Sequence, residues 1–153
     1  MAQLQPEGLN MKKTYVSAQG ERARAIPALQ GATVAYSDAV RIDLSDHTLL
    51  FVSGKIGTDD ALKLADRNMR DQTRQIFNNI KATVEGQGGK ITDVVRIRIF
   101  VSAIDSQSIR EIHDVRREFF KEGEFPASTL IRVDGFVRDD ALIEIESDVV
   151  IAR

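Results

Sequence analysis

Alternation of apolar and polar positions is sharpest in DVVRIRIFV, where Val95, Ile97, Ile99 and Val101 fall on one side of an extended chain and Arg96, Arg98 and Phe100 on the other. A period of two predicts a half-buried strand. Upstream, VAYSDAVRID and HTLLFVSGKIG are two more extended runs, separated by the turn-forming DLSD in the manner of a hairpin. Between Asp66 and Glu85 the period changes. Met69, Ile76, Phe77, Ile80 and Val84 recur at steps of three and four, which predicts an amphipathic helix, and GQGG at 86–89 ends it. A second helix is expected around the stripe Ile109, Ile112, Val115 and Phe119, with Ser108 and Glu111 as its capping box. ASTLIRVD and ALIEIESDVVIA then predict two closing strands.

Strands first, then strands interleaved with two helices, describe an α+β domain. Two helices cover only one face of such a sheet, and they are expected to pack on Ile97, Ile99, Ile131, Ile143 and Ile145. The other face then carries Arg96 and Arg98, Glu144, Glu146 and Asp148, and by alternation Ser128, Leu130 and Arg132 as well. Charges mixed with Phe100 and Leu130 make neither a plain core nor a plain solvent face, so burial against further copies of the chain is expected.

Composition narrows this picture. A chain of 153 residues, 42% of them apolar, supports one core and one domain, taken as residues 26–153. The polar opening, residues 1–25, shows no strong periodicity and reads as a flexible extension outside that domain. Along the whole chain 21 basic and 23 acidic residues are interspersed, which argues against nucleic acid as a main ligand. Absence of cysteine removes disulfides, thiolate metal sites and a cysteine nucleophile together. His47 and His113 have no metal-ligand spacing, so no metal site is expected. No window has the apolar length of a membrane span or a secretory signal, and a cytoplasmic protein with no membrane partner is expected.

Several stretches, taken together and in order, resemble the RidA family, also called YjgF or reactive intermediate deaminases. They are AYSDAVR (35–41), LLFVSGKIG (49–57), the QTRQIFNNIKATVEGQGG helix, DVVRIRIFVSAID, EFPASTL and ALIEIE. The resemblance implies a chorismate-mutase-like fold with a mixed six-stranded sheet, assembled as a homotrimer around a central barrel with clefts between subunits. It implies hydrolysis of small-molecule enamines or imines to a carbonyl product and ammonia, without cofactor or metal. Carried over position by position, it makes Glu144 the residue that positions or activates water, Tyr36 a cleft-lining tyrosine, and Ser53 with Gly54 a ligand-contacting pair.

One position departs from the motif. The family runs Pro-Ala-Arg where this chain has Pro126, Ala127 and Ser128, and Leu130 stands where many members have cysteine. A guanidinium grips the carboxylate of an imino acid through two parallel hydrogen bonds, whereas a serine hydroxyl offers one neutral donor. Weak activity toward small imino acids, and a bulkier or less anionic substrate, are therefore expected; the alternative is a trimer that binds a small molecule without turning it over. Arg98 is a candidate substitute. The competing reading pairs Arg96, Arg98 and Arg132 across strands with Glu144, Glu146 and Asp148. Tyr36 as a packing aromatic, Ser53–Gly54 as a strand bulge and Glu144 as a merely ion-paired glutamate are the corresponding structural readings.

Overall fold

In a computed structural model, which describes residues 11–16, 35–61, 63–66 and 68–153, the chain forms six strands and two long helices. They are β1 (Lys12–Val16), β2 (Ala39–Asp43), β3 (His47–Lys55), α1 (Met69–Glu85), β4 (Val94–Val101), α2 (Ser106–Phe119), β5 (Ala127–Arg132) and β6 (Ile143–Ala152), with a 3₁₀ turn at Ile91–Asp93. The sheet order is β1-β2-β3-β6-β4-β5. Neighbours are antiparallel except β4 and β5, which run parallel and are joined through α2.

Strand β1 is an addition to the pattern read from the sequence, which assigns no element within residues 1–25. Its five residues pair with β2 from Lys12↔Asp43 to Val16↔Ala39. The rest of the expected extension, residues 1–10 and 17–25, lies outside the described residues.

Both helices begin on side-chain caps. Asn68 accepts from the Asp71 amide at 2.8 Å, and Asp105 accepts from the amides of Gln107 and Ser108 at 3.0 and 2.9 Å. The expected Ser108–Glu111 box is thus replaced by Asp105. A carboxylate one residue ahead of the helix already satisfies those amides, while Ser108 donates to it and Glu111 accepts from Gln107. The GQGG segment terminates α1 as anticipated: Gly86 and Gly89 donate to the carbonyls of Ala82 and Val84, and Gly88 takes φ +85°.

Helices α1 and α2 cover one face of the sheet. Ile76, Phe77, Ile80 and Val84 of α1 and Ile112 and Val115 of α2 are buried with Leu50, Val52, Ile97, Ile99, Val101, Ile143, Ile145 and Val149. Phe77 stacks against Phe119 and Phe120, with ring centroids 5.2 and 5.8 Å away, where the helices meet. Each fully buried aliphatic side chain contributes roughly 1.5–3 kcal/mol.

Two expected core positions face the other way. Ile131 is 47% exposed because the parallel register pairs Phe100 with Ile131 and Ile99 with Leu130, so Leu130 is the residue packed on the core. Val95 is exposed because a register shift between Val94 and Arg96 places Val94 inward. The face opposite these two helices carries Tyr15, Phe51, Ile131 and Val150, all exposed, among the charges of β4 and β6.

Candidate active site

The outward row of β6 is Glu144, Glu146 and Asp148, and its register with β4 decides what each carboxylate meets. Phe100 stands opposite Glu144, Arg98 opposite Glu146 and Arg96 opposite Asp148. Arg98 donates to Glu146 at 2.9 Å and to both oxygens of Asp148 at 2.9 and 3.3 Å. Its guanidinium is held charged by these acids, Asp148 first. The cross-strand pairing read from the sequence is therefore the geometry of Arg98, and its donors already have partners.

Glu144 has no such partner. Among the described residues its carboxylate accepts no hydrogen bond and meets no cation at ion-pair distance. Burial raises its pKa above the ordinary glutamate range, and the negative charge of Glu146 raises it further.

Room for this carboxyl group comes from β3. Val52 pairs with Ser147 and Lys55 with Ile145, so Ser53 and Gly54 together oppose Glu146 alone. The pair is a bulge, the structural reading of these two residues. Gly54 is required by close approach: a methyl group there would overlap the carboxyl of Glu144, lying 2.8 Å from its Cδ.

Ser53 acts on the segment before β2. Its hydroxyl donates to the Ser37 carbonyl at 2.6 Å and its amide to the Asp38 carbonyl at 3.0 Å. Lys55, buried at the end of the same strand, donates to the buried Asp38 carboxylate at 2.7 Å. These three bonds fasten residues 37 and 38 and thereby hold Tyr36 beside the bulge. The Tyr36 phenol is pushed up by partial burial, then by the charges of Asp38 and Glu144, which places it within the field of that carboxylate. Tyr36, Ser53, Gly54 and Glu144 thus form one cluster. Sequence reasoning missed Asp38 and Lys55. The bulge hides them, since it shifts the phase of β3 and turns Lys55 inward.

Ser128 and Leu130 lie elsewhere. They are paired with Ile97 and Ile99, on the helix-covered side, and Leu130 packs against the core. The expectation that they share the face of Glu144 is overturned, because adjacent apolar residues Leu130 and Ile131 left the phase of β5 to be set by its register with β4. Two strand spacings and about three residues of rise also separate Ser128 from Glu144, roughly 14 Å in the plane of the sheet. Within one protomer they do not meet around a small molecule.

The model of the family described as endoribonuclease L-PSP matches residues 27–151. The chain belongs to this family, the YjgF/RidA family. A curated relative, the 2-iminobutanoate/2-iminopropanoate deaminase of Dermatophagoides farinae, is 36% identical over 117 residues, 76% of this chain and 85% of the relative. Among solved structures, a YjgF/YER057c/UK114 family member from Mycobacterium tuberculosis superposes with a TM-score of 0.68 at 28% identity, covering 92% of this chain and all of the other. RidA from the Antarctic bacterium Psychrobacter sp. PAMC 21119 gives 0.66 at 28% identity, covering 78% and 91%. The mixed six-stranded sheet with two helices is the fold of these YjgF/RidA neighbours. At the level of the family, a RidA-type imine deaminase is the activity that these relatives support. No helix among the described residues is long and apolar enough to cross a membrane.

Proposed function

We propose that the chain hydrolyses a reactive enamine or imine to a carbonyl product and ammonia, in clefts between the subunits of a homotrimer. The observation that carries this reading is the half-buried Glu144 carboxylate, seated on Gly54 beside Tyr36 and meeting no cation among the described residues.

In the proposed reaction, Glu144 takes a proton from water as the water oxygen bonds to the imine carbon. The imine reacts as its protonated iminium form, so the C=N π pair moves to nitrogen and gives a neutral tetrahedral carbinolamine. Glu144 returns its proton to the nitrogen, the C–N bond breaks, and the remaining hydroxyl gives its proton to the departing ammonia as the C=O bond forms. Ammonia and a carbonyl compound leave. A carboxylate whose pKa is raised toward the working pH is a better base for this than an ordinary glutamate, and such proton transfer is worth about 10²–10⁴-fold in rate. Tyr36 shapes the cleft next to the reacting carbon. The exposed apolar side chains of the open sheet face, Tyr15, Phe51, Ile131 and Val150, favour its burial against other copies. Ser128 of a neighbouring protomer is the only Ser128 that such a cleft would bring to Glu144.

Purified protein is expected to release ammonia from freshly generated imines, and Glu144→Gln to lower turnover by about 10²–10⁴-fold while sedimenting at three times the 17.0 kDa chain mass. A panel including bulky and uncharged imines that yields no ammonia overturns the reading. The neutral Ser128 favours a second one, a trimer that binds a metabolite without turnover. Saturable binding with no ammonia release, unaltered in Glu144→Gln, would establish that alternative.

A further inference from the structure

We infer that Arg116 is a carboxylate-binding group of this protein, taking the anionic end of a small ligand beside the EFPAS segment. The inference rests on the reading of a small-molecule cleft above and assigns the charge recognition that Ser128 does not supply.

Arg116 lies on α2 and is only 7% exposed, between Val115 in the core and the last turn of the helix. Its Nε is buried with no hydrogen-bond partner, and its terminal nitrogens donate to no described group. A guanidinium this far out of water ordinarily has an anion beside it. Asp114 and Glu118, the two acids nearest in sequence, are committed to other arginines. Asp114 pairs with Arg70 and Arg117, Glu118 with Arg74, and Glu122 with Arg117. The next residue, Arg117, adds positive charge, and burial together with Arg117 makes the charged form of Arg116 harder to hold. The field at this spot therefore calls for an external anion.

Its location selects the kind of anion. Cζ of Arg116 lies 5.8 Å from the centroid of Phe125, so the ring covers one face of the guanidinium and any anionic partner must meet its edge. Phe125 is three residues before Ser128, and Ser128 and Leu130 point to this same helix-covered side of the sheet. Planar, bidentate recognition fits a carboxylate. The curated relative's named substrates, 2-iminobutanoate and 2-iminopropanoate, each carry one. Sequence inspection passes over Arg116 because it reads as one of two adjacent surface arginines, although it stands four residues after Ile112 on the buried stripe.

The test is calorimetric titration of 2-oxobutanoate, the hydrolysis product of 2-iminobutanoate, into the full chain and into Arg116→Met, Arg116→Lys and Arg117→Met, with ammonia release measured in parallel. Arg116→Met keeps the packed stem and is expected to bind at least tenfold more weakly. Arg116→Lys should recover part of the loss, and Arg117→Met should bind as the parent does. Absence of saturable binding to the parent chain, or binding to Arg116→Met within twofold of the parent, overturns the inference; so does a change confined to melting temperature or assembly mass. If ammonia release is absent while binding depends on Arg116, the deaminase reading falls and this one stands. Intact turnover with binding indifferent to Arg116 removes the carboxylate site and leaves the deaminase reading in place.

Discussion

Glu144 and Glu146 are the same residue type, two positions apart on the same face of the same strand, yet they sit in different electrostatic surroundings. Glu146 faces Arg98 and shares that guanidinium with Asp148, whereas Glu144 faces Phe100, rests on Gly54 and meets no cation among the described residues. The neighbouring strand makes the difference: the period-two pattern of β4 puts arginine, arginine and phenylalanine in the outward row. Two acids are neutralised in place, and the third is left with a pKa raised by burial and by Glu146. An acid kept without a partner in such a row is the arrangement a proton-transferring group requires.

The inward row of the same strand sets the scale against which this is measured. Ile143 and Ile145 are fully buried under the helices. Ile145→Ala is expected to lower stability by about 2–5 kcal/mol, read from the midpoint of urea unfolding, with no change in the pH dependence of turnover. A cost below about 1 kcal/mol would mean that the helix-covered face is not the main core.

On the outward row, Gly54→Ala places a methyl where the Glu144 carboxyl now lies. Turnover should fall by about 10²-fold with a smaller loss of stability, because the displaced acid is needed in its position more than in its packing. Unchanged kinetics would show that Glu144 does not work from where it sits.

Arg98→Gln breaks the other half of the comparison by leaving Glu146 and Asp148 unpaired. The three side chains are a quarter to a third exposed, so solvent screening keeps the stability cost small. The pH profile of turnover is the sharper readout. Loss of the guanidinium makes the row more negative, and the Glu144 limb should move to higher pH. A shift to lower pH would contradict the assigned surroundings.

The smallest effect is on stability at Glu144 itself. A carboxyl whose folded pKa is raised favours the folded state fully below its unfolded pKa, and that advantage is lost as pH rises through the folded value. Ionised Glu144 therefore costs stability at neutral pH. Glu144→Gln is expected to melt slightly higher than the parent at pH 7 and to lose that margin in acid. A lower melting temperature at pH 7 would imply a stabilising partner for the charge.

Much of this arrangement is legible in the sequence. The alternation of DVVRIRIFV and IEIESDVV and the stripes of both helices carry the two-faced sheet, and the hairpin at DLSD and the stop at GQGG follow from turn chemistry. Other features depend on register, which a single strand does not encode. Leu130 and Ile131 are both apolar, so only pairing with β4 decides that Leu130 goes inward and carries Ser128 with it. The bulge at Ser53 and Gly54 inverts the phase of β3 and conceals the Lys55–Asp38 pair. β1 is a polar five-residue strand that pairs with β2, and KKTYV has too little apolar pattern to announce it.

The measurement that bears most directly on the central claim is a site-resolved NMR titration of the side-chain carboxyls of β6. Glu144 is predicted to titrate above the ordinary glutamate value of about 4.3. A Glu144 carboxyl that titrates at or below that value would mean its charge is neutralised after all, and would contradict the account.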